Sequence, residues 1–331
     1  MMRRFLRTAV VAAVILACTM PAVSVSAEVS AVPVTNPALP VTTGILPVNA
    51  VPAPITPAPA STVQTTPAPA APTPAPAAPT PAALRTVDLV IFAGQSNMSG
   101  RGGNAKAAPG VAADTGYEFR IGTCPTGLYP VTEPFGIYSN GYLCDPPALR
   151  SGSLVSAFMN SYYRGCGVPA MGFSAARGGS SIGYWQSAPV QAELVSKYDT
   201  ICAWCSANHV FIRRKYVVWL QGETDGVANI SKEAYRTGLV NVFSSLFAKG
   251  LEQVFIIPIG QYVGLPGTYD KVRAADMELC ASDARFTLGS DALGQLPPTY
   301  IPDGCHYNQS ALNMAGSQCG SVAAQRSKAM P

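Results

Sequence analysis

Only two histidines occur in the chain, His209 and His306, and the second lies in a setting that suits catalysis. Asp303 precedes His306 by three residues in a glycine-containing loop, so its carboxylate can hold the ring Nδ1–H and leave Nε2 to accept a proton. A serine hydroxyl is inert at its own pKa and needs such a base. Ser96, just after an apolar run, is the obvious partner. The pattern predicts a nucleophilic triad of Ser96, His306 and Asp303.

This chemistry also requires hydrogen-bond donors for the oxyanion of a tetrahedral intermediate, each contributing about 3 kcal/mol. The candidates are the backbone N–H groups of Ser96 and Gly178, together with one side-chain amide. Gly178 and Gly179 form a small polar turn of the kind that exposes backbone. The two glycines do not form a GxGxxG pattern, and this disfavours nucleotide binding.

The elements that would position these residues follow from the apolar runs after residue 84. Near-continuous apolar runs are typical of parallel strands covered on both faces, and they are predicted at 87–93, 169–174, 216–221, 254–259 and, more weakly, 286–288. Helices are predicted between them at 153–164, 190–207, 232–248, 269–282 and 309–326. Strand–helix alternation predicts a doubly wound α/β fold with three α/β/α layers. The Gly- and Pro-rich stretch 100–150 is predicted to be an irregular insertion.

Ligands of an open parallel sheet bind outside the carboxyl ends of its strands. The segments that follow the first three predicted strands are small and polar, and so is the one before the last helix; they are residues 94–98, 176–180, 221–225 and 303–307. We therefore expect the four segments to meet in one site.

These four segments resemble those of the SGNH-hydrolase superfamily, and more closely its sialate O-acetylesterase and carbohydrate esterase family 6 branch. The resemblance implies a flavodoxin-like α/β/α sandwich. It also implies Ser96 as nucleophile, His306 as base, Asp303 as its orienting residue and Gly178 in the oxyanion hole. Gln221 stands nearest to the place of the superfamily's asparagine donor. The remaining residues of the motifs that carry the resemblance are expected to support the site: Gln95, Asn97, Gly179 and Glu223.

Several of these residues also allow other interpretations. Glu223 and Asp225 could act as the acid and base of a glycosidase, but their i, i+2 spacing disfavours that role and favours bracing of the Ser96 loop. Trp185, beyond the glycine turn, is predicted to stack on a sugar. A zinc or redox role for Cys202, Cys205 and His209 lacks a fourth ligand.

The composition excludes several classes of protein. The chain has 331 residues with a net charge of +4, too small and too dispersed for a nucleic-acid binder. A basic start and a short apolar run before residues 25–27 predict an export signal at 1–27. Lipidation at Cys18 and an uncleaved anchor are alternatives. Residues 28–84 are rich in Pro, Ala and Thr, which predicts a semi-rigid linker, and residues 85–331 form the predicted catalytic domain.

The number of remaining cysteines is even, which supports export. Exported chains usually pair their cysteines, so disulfides are expected among the eight that follow Cys18: Cys124, Cys144, Cys166, Cys202, Cys205, Cys280, Cys305 and Cys319. The spacing does not determine which would pair.

The sequence thus predicts a secreted serine esterase that removes acetyl groups from carbohydrate hydroxyls, with no metal or organic cofactor. The expected partner is an acetylated carbohydrate. Nucleic acid binding and membrane insertion of the catalytic domain are not expected, and the oligomeric state is left open. The alternatives are a carbohydrate-binding module on the same fold and an O-acetyltransferase that uses the same triad.

Overall fold

The structure is a computed structural model that describes residues 85–121 and 126–330. The predicted export signal at 1–27, the linker at 28–84, Cys18 and Cys124 lie outside the described residues. The division of the chain into these segments stays a prediction.

A seven-stranded sheet forms the centre of the described residues, in the order β3-β2-β4-β1-β5-β6-β7. Its strands are β1 Arg85–Gly94, β2 Gly116–Arg120, β3 Gly127–Pro130, β4 Ala170–Ala176, β5 Val210–Leu220, β6 Gln253–Ile256 and β7 Phe286–Leu288. All neighbouring pairs are parallel except β2 and β3. The predicted α/β class and mostly parallel sheet are confirmed.

Helices form the layers on either side of the sheet. In the described residues they are α1 Ser96–Ser99, α2 Val155–Cys166, α3 Ile182–Trp185, α4 Ala188–Ala207, α5 Glu223–Val227, α6 Lys232–Phe247, α7 Asp270–Ser282, α8 Ala292–Gln295 and α9 Gln309–Ala329. Helix α9 packs against α2, whereas α6 packs against α7 and α4. Residues 87–94 of β1 are all buried, which requires cover on both faces of the strand.

The stretch 100–150 differs from its prediction. Strands β2 and β3 lie within it and extend the sheet beyond β4, so it is only partly irregular. Its Gly and Pro content concealed two short strands: β2 is largely buried, whereas in β3 only Gly127 is buried. Within the described residues, no helix is long and apolar enough to cross a membrane.

The strand register brings the predicted site segments together. Gly94 at the end of β1 pairs with Ala176 at the end of β4 on one side and with Leu220 at the end of β5 on the other. The approach is so close that a Cβ on Gly94 would lie 1.9 Å from the Leu220 carbonyl oxygen, and its φ of +150° also favours glycine. The chain reverses its direction of winding at β1, where α/β folds place their ligands.

Candidate active site

His306 and Asp303 form the pair that their spacing predicts. The ring Nδ1 lies 2.6 Å from Asp303 Oδ2, and Asp303 Oδ1 accepts from the backbone N–H groups of Cys305 and His306. Burial alone would raise the pKa of Asp303, but the hydrogen bonds from the His306 ring and from these N–H groups outweigh it and hold that pKa well below its usual value. The carboxylate therefore fixes both the loop and the ring orientation.

Asn97 connects this loop to the segment that follows β1. Its Nδ2 donates to the Cys305 carbonyl at 3.2 Å, and its Oδ1 accepts from the Tyr307 N–H at 2.9 Å. One side chain thus holds the backbone on both sides of His306. The loop after α1 packs there as well, because a Cβ on Gly102 would lie 2.7 Å from the His306 Cβ.

Ser96 begins helix α1, next to Asn97. Its side chain is 1% exposed, and its Oγ has no hydrogen-bond partner among the described residues, so a direct bond to His306 is not formed here. Such bonds are often long in ligand-free sites and tighten when substrate binds. The catalytic roles of Ser96, His306 and Asp303 stay predictions, but their three segments meet at one edge of the sheet.

Glu223 and Asp225 follow β5 and brace the loops of the site. Glu223 Oε1 accepts from Asn97 Nδ2 at 2.6 Å, and Asp225 Oδ2 accepts from Gln221 Nε2 at 2.6 Å and from the Ile182 N–H at 2.8 Å. Burial raises the pKa of both carboxyl groups. These contacts match the interpretation that both carboxylates brace the loops. They do not match a glycosidase, in which two carboxylates flank the glycosidic bond.

Neighbouring groups form hydrogen bonds with both ends of the Gln221 side-chain amide. Its Nε2 donates to Gln95 Oε1, the Ser180 carbonyl and Asp225 Oδ2, while Tyr235 donates its hydroxyl to Gln221 Oε1. An amide nitrogen has only two N–H groups, so these acceptors use its donors fully. This corrects the expectation that Gln221 faces an oxyanion.

The backbone N–H of Gly178 is also hydrogen-bonded, and its acceptor is a residue that was not predicted from the sequence. Its N–H donates to Asp145 Oδ1 at 3.0 Å, and Asp145 also accepts from Ser99 Oγ and from Arg101 through two bonds. Burial opposes ionisation of Asp145, but these bonds hold its pKa below the usual value. The expected donor role of Gly178 is therefore corrected as well. Asp145 joins the Ser96 and Gly178 segments from within the insertion, where no spacing pattern marked it.

Trp185 does not offer a face to a sugar. It is fully buried, its ring packs edge-on against Trp219, and its Nε1 donates to Ser180 Oγ at 2.9 Å. The predicted stacking role is wrong, because proximity to the glycine turn did not reveal that the side chain points into the core. Beside Gly178 lies instead a cavity of about 400 Å³, lined by Arg101, Arg177 and residues 139–141 and 144–147, among others. Tyr142, next to this wall, is 57% exposed.

The cysteines do not pair as expected. Within the described residues six are free thiols: Cys144, Cys166, Cys202, Cys205, Cys280 and Cys319. The disulfide prediction is wrong for these six. In the part of the chain that the structure describes, no group of three or more His, Cys, Asp or Glu side chains is arranged to hold a metal. His209 follows α4 in a left-handed conformation.

Polar loops gathered at the carboxyl ends of adjacent parallel strands define an α/β domain of the doubly wound class with its site at the topological switch point. Residues 86–319 match the carbohydrate esterase family of sialic acid-specific acetylesterases, and the chain belongs to this family. The family supports an acetylesterase-type function. No protein with a curated description matches the sequence.

Three solved structures are similar to this chain, and the first of them shows the same fold. A protein of Arabidopsis thaliana is 21% identical, with a TM-score of 0.53, over 72% of this chain and 98% of its own. A lipase/acylhydrolase from Enterococcus faecalis is 14% identical, with a TM-score of 0.42, over 73% and 96%. The catalytic domain of a peptidoglycan O-acetyltransferase from Streptococcus pneumoniae is 13% identical, with a TM-score of 0.32, over 53% and 89%.

Proposed function

We propose that the protein is a serine esterase that removes O-acetyl groups from carbohydrate, with Ser96 as nucleophile, His306 as base and Asp303 as the residue that orients it. The observation that carries this proposal is the position of Asn97. It neighbours Ser96 and hydrogen-bonds the residues on both sides of His306, which is itself bonded to Asp303.

The proposed reaction passes through an acyl-enzyme. Ser96 Oγ attacks the acetyl carbonyl carbon while His306 Nε2 takes the hydroxyl proton. The bond from carbon to the sugar oxygen then breaks, and that oxygen receives the proton from His306. Water attacks the acetyl-serine with the same base, which releases acetate and restores Ser96. Asp303 keeps the imidazole in the required tautomer throughout.

The experiment compares Ser96→Ala with Ser282→Ala, a matched change at an exposed serine on α7. The wild type and Ser282→Ala are expected to hydrolyse p-nitrophenyl acetate and to be labelled by a fluorophosphonate. Ser96→Ala is expected to lose both labelling and turnover. Hydrolysis that survives in Ser96→Ala would contradict the proposal.

The same assay distinguishes the alternatives. A wild-type protein that binds acetylated glycan without being labelled or turning it over would be a binding module. Acetyl transfer to an added sugar that exceeds release to water would instead identify a transferase.

The sugar is expected to occupy the cavity beside Gly178. Arg177 lines it and donates through Nη1 to the Cys144 carbonyl, and the exposed Tyr142 ring lies next to its wall. Arginine recognises carboxylates, and aromatic rings provide apolar area against sugars. These features favour an acidic sugar. Acetylated sialic acid is expected to outcompete acetylated xylose, and Arg177→Ala is expected to remove that preference; equal use of both sugars by the wild type would refute it.

We also infer export, supported by the basic and then apolar start of the sequence and by the small residues 25–27. Expression of the full chain, followed by fractionation and N-terminal sequencing, tests this. Cleavage after residue 27 supports soluble export, lipidation at Cys18 supports the anchored alternative, and an intact chain in the cytosol contradicts export.

A further inference from the structure

The corrected roles of Gly178 and Gln221 leave the proposed reaction short of donors for its oxyanion. The Ser96 N–H lies at the first position of α1 and has no intrahelical acceptor, so it can serve. One backbone N–H alone is fewer donors than such sites normally present. A second donor near Ser96 is therefore needed.

Gln95 supplies a buried amide next to the nucleophile. Its Oε1 accepts from Gln221 Nε2 at 3.1 Å and from the backbone N–H groups of Gly222 and Thr224 at 3.3 and 3.4 Å. Backbone N–H groups can only donate, so they fix which end of the amide is oxygen. Oxygen and nitrogen cannot be exchanged here without losing these bonds.

The other end of the same amide makes no such contacts. Gln95 is fully buried, and its Nε2 has no hydrogen-bond partner among the described residues. Leaving a buried donor without an acceptor costs free energy. An unsatisfied buried group in a folded protein needs an explanation, and a catalytic role is one such explanation. Gln95 directly precedes Ser96 in the chain. We therefore identify the acyl oxygen of the substrate as the missing acceptor.

We propose that Gln95 Nε2 is an oxyanion donor that acts together with the Ser96 N–H. The inference rests on the proposed esterase function. The segment around Gln221 then has a different task, since its donors hold the Gln95 oxygen and so fix which end of the amide is the nitrogen. The proton balance of the reaction is unchanged, because the amide only donates a hydrogen bond to the oxygen that gains negative charge.

The test uses Gln95→Glu, which keeps the acceptor but removes both N–H groups, and Gln95→Met, which keeps the length alone. Gln253→Glu is the matched control, because Gln253 is a buried glutamine on β6 whose Nε2 donates to Ala284 and Thr287. Each is assayed with p-nitrophenyl acetate and with its thiono analogue, in which a weakly accepting sulfur replaces the carbonyl oxygen.

For both Gln95 variants we expect kcat on the oxygen ester to fall about 10²–10³-fold with little change in KM. The ratio of oxygen-ester to thiono-ester rates should fall as well. This ratio does not depend on how much protein is folded, so it separates donor loss from misfolding. Gln253→Glu should keep the wild-type ratio.

Equal losses on both esters, or a kcat within about threefold of wild type, would overturn the role of Gln95. These results differ from failure of the proposed function, in which the wild type itself neither hydrolyses the ester nor reacts with a fluorophosphonate.

Discussion

Buried polar groups near the start of strand β1 and in the segments beyond its end differ in whether their hydrogen bonds are satisfied. Near its start, Asp88 accepts hydrogen bonds from the Tyr162 hydroxyl and from two nitrogens of Arg213, and Arg213 also donates to Ser327. Beyond its end, buried polar atoms lack hydrogen-bond partners within the described residues: Gln95 Nε2, Ser96 Oγ, Glu223 Oε2, Thr224 Oγ1 and both oxygens of Asp276.

This difference separates a structural region at the start of β1 from the proposed site beyond its end. Asp88 is buried and its ion pair with Arg213 is satisfied, which stabilises the fold, whereas unsatisfied buried groups cost free energy. The bulge between Val87 and Asp88 supports the first role, since it inserts Arg213 beside Asp88. Changes near Asp88 should therefore cost stability, and changes beyond Gly94 should cost activity.

The largest expected effect is on the activity side, for Asp303→Asn. Without the carboxylate the imidazole loses its fixed tautomer, so kcat should fall about 10⁴-fold. The depressed pKa of Asp303 stabilises the fold above the usual carboxyl pKa, and this contribution is lost as pH falls through the depressed value. Acid unfolding of the variant, followed by circular dichroism, should accordingly be less steep than that of the wild type. A variant with normal kcat would contradict the triad.

At the start of β1, the change expected to reduce stability is Arg213→Met. It leaves Asp88 buried without its cation, and breaking such pairs costs about 3–5 kcal/mol. The free energy of unfolding in urea should fall by that amount, while kcat per folded molecule stays unchanged. A large loss of kcat with unaltered stability would contradict the proposed division between the start of β1 and the segments beyond its end.

Asp145→Ala should give a smaller loss of activity. It frees the Gly178 N–H, Ser99 and Arg101 together, so the segments after β1 and β4 lose their shared anchor. A displacement of about 1 Å can cost about 10²-fold in rate. Steady-state kinetics should show this loss, and Asp145→Asn, which can retain an acceptor for Gly178, should recover part of it. Identical kinetics for Asp145→Ala and the wild type would show that this anchor is dispensable.

The smallest effect is expected for Asp276→Asn, and its sign is positive. Burial raises the pKa of Asp276 well above its usual value, so wild-type stability declines as pH rises from the ordinary carboxyl pKa toward the raised one. The variant should be more stable than the wild type by about 1 kcal/mol at pH 8, and the gain should shrink at acid pH. Urea unfolding at both pH values measures this, and a less stable variant at pH 8 would contradict it.

Local patterns in the sequence predicted much of this arrangement. Apolar runs predicted the strands. The spacing of three residues predicted the Asp303–His306 pair, because both residues lie in one loop and their contact does not depend on tertiary packing. The partners of Gly178 and Gln221 could not be found in this way, because Asp145 lies far along the chain and its bonds depend on how the insertion packs. Burial of Trp185 depends equally on tertiary packing, through Trp219.

The bonds from Asn97 to Cys305 and Tyr307 span 208 and 210 positions of the chain. During synthesis the proposed nucleophile leaves the ribosome long before the proposed base. A nascent chain that ends before residue 300 therefore carries the hydroxyl without the imidazole. We expect such a chain to have no esterase activity until the domain is nearly complete.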